Sequence, residues 1–110
     1  MLAVILGAFG AHALTSRLSA EQLVSWETGV RYQMFHALAL LVLALWFDRG
    51  MALKPSLICF ALGTLLFSGS IYLLSLGIGP RAVLGPVTPV GGVLLIAGWG
   101  WFLWSAIKFS

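Results

Sequence analysis

Charge is what this sequence has least of. Of its 110 residues three are acidic and six basic, 8% together, where a soluble domain carries about 25%. So few charges cannot cover a globule with polar surface, which excludes a water-soluble fold. With 61% hydrophobic residues and a mean hydropathy of +1.06, the apolar side chains face lipid and the chain is an integral membrane protein. Cysteine is almost absent. Cys59 alone excludes an intrachain disulfide and a cysteine-built metal site, and inside an apolar run it reads as a small packing residue. The only acids are Glu21, Glu27 and Asp48. They form no serine–histidine–acid constellation, and no glycine-flanked nucleophile elbow occurs. The bases are single and scattered, so a net charge of +3 points to anionic lipid headgroups rather than nucleic acid. A basic n-region is missing too. Although Ala11-His12-Ala13 mimics a cleavage site, the first segment reads as a retained helix rather than a signal peptide.

What is present is a series of apolar runs. Four are expected to span the membrane, at about residues 1–14, 30–47, 57–76 and 89–107, packed as a single helical bundle. The first is short: at 1.5 Å per residue it reaches about 21 Å against a hydrocarbon core of about 30 Å. Either it stops partway through the membrane or the native protein carries further N-terminal residues. Ala3, Gly7 and Ala11, widened by Gly10, form a small-residue stripe suited to close helix contact.

Ser19 and Gln22 have capping-box spacing, so an interfacial helix starts near Ala20 with Trp26 at headgroup level. It runs directly, or through a kink at Gly29, into the second span, which Asp48-Arg49-Gly50 ends with Gly50 as C-cap. Lys54-Pro55 suits the start of the third span. Gly63 and Ser70 share a face there, as Gly91 and Gly98 do in the fourth. Residues 77–89 read as a tight Gly/Pro loop, with Thr88 as N-cap and Pro89 as the first helical residue. Trp99, Trp101 and Trp104 crowd the far end as interfacial anchors, where Lys108 snorkels. Four spans place both termini on one side. The bases divide three against three between the two sides, and a buried or paired Arg31 tips the balance to cytoplasmic termini.

Four blocks carry a resemblance. They are Gly7-Ala8-Phe9-Gly10-Ala11-His12, Glu27 through Leu38, Phe67 through Leu74, and Leu84 through Gly92. Their sequences and order resemble the YgdD/YwdK-like family of small bacterial membrane proteins of unknown function, with relatives in animals. The resemblance implies an all-α fold of four transmembrane helices in the inner membrane. It implies no activity and no catalytic residues. The shorter first segment departs from the longer first helix usual in that family.

The polar residues most able to carry a role are His12, Glu27, Arg31, Tyr32, Gln33 and His36. Glu27 and Arg31 have the favourable acid-first i,i+4 order, and an intrahelical salt bridge at the membrane edge is expected. The competing reading is a proton or ion site. At 100° per residue Gly29, Tyr32, Gln33 and His36 share the face opposite that pair. They are expected to hydrogen-bond neighbouring helices. A hairpin brings His12 toward His36, the minimum for bis-imidazole haem. No further ligand appears, and packing is the preferred reading, with no cofactor. Together these point to a non-enzymatic accessory or assembly subunit of a larger membrane complex, partnered by lipids and other membrane subunits. A small-molecule or ion transporter is the alternative, with Glu27 as the only candidate acid.

Overall fold

The computed structural model describes residues 1–109 as four α-helices joined by short links. They are α1 (Leu2–His12), α2 (Ala20–Trp46), α3 (Lys54–Ser75) and α4 (Arg81–Phe109), with a 3-10 turn, Phe47–Arg49, after α2. Three of the four, α2 to α4, are long and apolar enough to cross a membrane. At 11 residues, α1 extends only about 16 Å.

Local chemistry accounts for most boundaries. The capping box is made in full: Ser19 N donates to Gln22 Oε1 at 2.8 Å, and Gln22 N to Ser19 Oγ at 3.1 Å. From that cap α2 runs unbroken past Gly29 into the span. Gly50, with φ 87°, ends the 3-10 turn in a left-handed conformation that most side chains avoid. Pro55 lies in the first turn of α3, where its missing N–H costs nothing.

The expected loop over residues 77–89 is the main correction. Only its first part is a turn. Helix α4 begins at Arg81, with the Pro80 carbonyl accepting from Val83 N and Leu84 N at 3.1 and 3.0 Å. Pro80, not Pro89, is the proline of the helix start. Pro86 and Pro89 lie inside α4 and deprive the carbonyls of Ala82 and Gly85 of their i+4 donors. In lipid an open loop leaves more backbone groups unpaired than a proline-bearing helix does, so the helix wins. Thr88 does not cap. Its hydroxyl meets Ser70 Oγ on α3 at 2.5 Å. Since Ser70 gives its one proton to Phe67 O at 3.0 Å, Thr88 is the donor to Ser70.

Each helix packs mainly against its neighbours in the chain: α1 on α2, α2 on α3, α3 on α4. The result is a shallow layer of helices, with principal extents of 50 × 28 × 16 Å. Its accessible surface is 6981 Å², against about 5,900 Å² for a compact chain of this mass. The core joins α2, α3 and α4 through Leu43, Leu53, Phe60 and Leu95.

Small residues set the spacing. A Cβ on Gly91 would lie 2.8 Å from Phe67 Cα and 2.9 Å from Gly63 O, so α3 and α4 touch backbone to backbone. A Cβ on Gly98 would meet the Phe60 ring at 2.7 Å and Cys59 Cβ at 3.0 Å, so Cys59 lies in the α3–α4 contact. On α1, Ala3 and Gly10 are buried and Gly7 faces Val30, while Ala11 is exposed.

Candidate functional site

The polar side chains within the spans lie at the seams between helices. Reading along α2, Trp26 comes first. It is 2% exposed and its indole N–H donates to Leu6 O of α1 at 2.9 Å. It is the pivot on which α1 rests, not a headgroup anchor, because Gly10 leaves room for its ring. One turn further, the Gly29 carbonyl accepts from Ser68 Oγ of α3 at 2.6 Å. Gln33 Oε1 then accepts from Tyr72 OH at 2.6 Å.

His36 is the most enclosed of the sequence candidates, 5% exposed. Its Nδ1 lies 2.7 Å from Tyr32 O, and its Nε2 lies 2.9 Å from Trp99 Nε1 of α4. A carbonyl can only accept and an indole N–H can only donate. Nδ1 therefore carries the proton, Nε2 is the acceptor, and the ring is the neutral Nδ1–H tautomer. Phe60 and Trp99 approach it edge-on at 5.3 and 5.9 Å between centroids, and Tyr32 stacks at 6.1 Å. Tyr32 contributes its backbone carbonyl and its ring, which also packs on Phe67 at 4.7 Å. Trp99, expected at the interface, instead joins α4 to α2. Trp101 keeps to the far end, where its N–H donates to Ala52 O at 2.7 Å, beside Ser105 at 3.1 Å from the same oxygen.

The other candidates lie apart. His12 ends α1 and is exposed. Gly7 faces Val30, so the antiparallel register puts His12 more than 10 Å from His36 along α2. With both His36 nitrogens bonded inside the chain, the two histidines do not form a ligand pair. Glu27 and Arg31 are both exposed, and among the described residues no ion pair joins them. The expected intrahelical bridge is not made: both side chains are exposed, where a single i,i+4 pair gains only about 0.3–0.5 kcal/mol.

Sequence reasoning missed Ser56, Ser68 and Trp99. Ser56 is fully buried and donates to Gly98 O at 3.0 Å. It also missed a cleft of about 740 Å³ at the end where α2 and α4 begin. Glu21, Arg81 and several hydroxyls, Ser25 and Thr88 among them, line its polar part; Ile71 and Leu74 line its apolar part. The hydroxyl of Thr64 on α3 is buried without a partner.

A family model, a protein family of unknown function known as DUF423, matches residues 6–92. The chain belongs to this family. The UPF0382 membrane protein YwdK of Bacillus subtilis is 42% identical over 113 residues, covering 99% of this chain and 89% of its own. The UPF0382 inner membrane protein YgdD of Escherichia coli is 45% identical over 109 residues, covering 97% and 82%. A UPF0382 membrane protein of Staphylococcus haemolyticus is 39% identical over 110 residues, covering 99% and 88%. No solved structure matches. This DUF423 chain is thus a membrane protein of a family to which no activity is attached.

Proposed function

We propose that this DUF423 protein is a non-enzymatic assembly subunit of the inner membrane, one that packs against other membrane-embedded protein. The observation that carries the reading is how its intramembrane polarity is used. Trp26, Gln33, His36, Ser56, Ser68, Tyr72 and Trp99 bond from one helix of the chain to another. A transport pathway or reaction centre keeps polar groups free for its substrate. Here they fix helix positions, each bond contributing about 0.6 kcal/mol and at most about 1.7. The layer they hold has broad apolar faces left for neighbours.

The test is isolation of a tagged chain from its own membrane with a mild detergent, followed by identification of bound polypeptides. The reading expects a reproducible protein partner in fixed ratio. Recovery of the chain with lipid alone would contradict it.

The amphiphilic cleft favours a second reading, movement of a small amphiphile or ion. The acid lining the cleft is Glu21, whereas Glu27, the acid the sequence favours for proton coupling, stands on the outer face of α2. A proton-dependent flux measured in vesicles and abolished by Glu21→Gln or Glu27→Gln would promote this reading over the first.

A further inference from the structure

Glu27 and Arg31 have no role in the seams just described, and both stand exposed on one face of α2. Their depth follows from register. Gly29, between them, receives Ser68 of α3 and faces Ile71 and Tyr72, while Thr88 of α4 meets Ser70 of the same stretch. Thr88 lies about 10 Å along α4 from Arg81. The α1 residue at this level is Gly7, opposite Val30, within an apolar helix. Ser25 and Thr88 of the polar cleft lie close to this height, so the pair stands where the polar end of the layer meets its apolar part. Among the described residues these two charges have no ion pair, so each is free to meet the opposite charge of a partner.

They also belong to a continuous face. Glu27, Arg31, Phe35, Leu38, Val42 and Leu45 recur at spacings of three and four, all exposed. They lie within about 80° of one another on α2, opposite the side that meets α3. That is the seam pattern of a helix with a helical partner.

We propose that the partner is a second copy of this chain, docked through the outer face of α2 about a two-fold axis along the membrane normal. The charges are self-complementary under that operation. A two-fold axis puts like heights together, and Glu27 and Arg31 differ by about 6 Å in height, within reach of an arginine side chain. Glu27 of each copy pairs with Arg31 of the other, giving two reciprocal bridges across one isologous contact. Below them Phe35, Leu38, Val42 and Leu45 interdigitate with their counterparts. The inference goes beyond the assembly reading and stands apart from it: the dimer needs no other protein.

The experiment uses the full chain in a Cys59→Ala background, purified and reconstituted into lipid vesicles, with one cysteine introduced at Leu38. Oxidation is expected to yield a disulfide-linked dimer, while a cysteine at exposed Leu65 on α3 yields none. Glu27→Arg or Arg31→Glu alone, each making the seam like-charged, is expected to lower the cross-linked fraction about tenfold, because facing like charges are strongly unfavourable. The swap carrying both changes restores it, and so does reconstituting the two single variants together, which also shows that each folds. No cross-link at Leu38, equal cross-linking at Leu65, insensitivity to the single reversals, or failure of both restorations overturns the proposal. Since the vesicles contain only this chain, any of these outcomes leaves the co-isolation test of the assembly reading untouched.

Discussion

His36 shows how a titratable side chain deep in a span can be entirely occupied by structure. One nitrogen faces a carbonyl of its own helix, the other an indole of α4, and three rings close around it. Trp99→Phe keeps most of the packing and removes the only donor to Nε2. Stability should fall by about 1–2 kcal/mol, the cost of an unsatisfied buried acceptor, measured by reversible unfolding in mixed micelles. In a double-mutant cycle with His36→Ala, the coupling should not exceed about 1.7 kcal/mol. A coupling near zero would mean that the bond is not made in the membrane. At this scale the sequence was partly legible. Projecting α2 at helical spacing put Gln33 and His36 on the inward face, where they are. The donors were hidden. A tryptophan near a helix end looks like an interfacial anchor until its partner is known, and a buried serine such as Ser68 looks like any small residue.

The helices follow from sequence where local chemistry decides and depart from it where the membrane does. Ser19, Gln22, Gly50 and Pro55 announce their boundaries through capping and φ alone. Pro86 and Pro89 announce a loop that is not there, because a proline's helix-breaking cost is judged against water, and lipid offers the freed carbonyls no better alternative. Pro89→Ala returns a donor to the Gly85 carbonyl. It should leave helix content unchanged by circular dichroism, whereas a loop over 77–89 would gain helix measurably. The α3–α4 contact is the more fragile feature. A methyl on Gly91 meets backbone rather than a yielding side-chain end, so Gly91→Ala should cost at least the 1–3 kcal/mol typical of overpacking. Gly100→Ala, with nothing within 4 Å of the added carbon, should cost nothing measurable. Equal effects of the two would contradict the packing described.

For the whole molecule, composition alone established membrane residence, and four sequence blocks pointed to the family. Neither contained the arrangement of the helices. Apolar runs of similar length pack equally well as a closed bundle or an open layer, and the difference lies in which faces carry glycine and serine toward which neighbour. On the assembly reading proposed above, the open layer, with α2 exposing two charges on an apolar stripe, offers its outer faces to other protein. The most direct measurement is the mass of the particle released from its own membrane with the surrounding lipid retained, by native mass spectrometry. The account predicts species whose protein mass exceeds the 11.8 kDa of one chain, persisting as lipid is stripped. A population consisting only of single chains would contradict it.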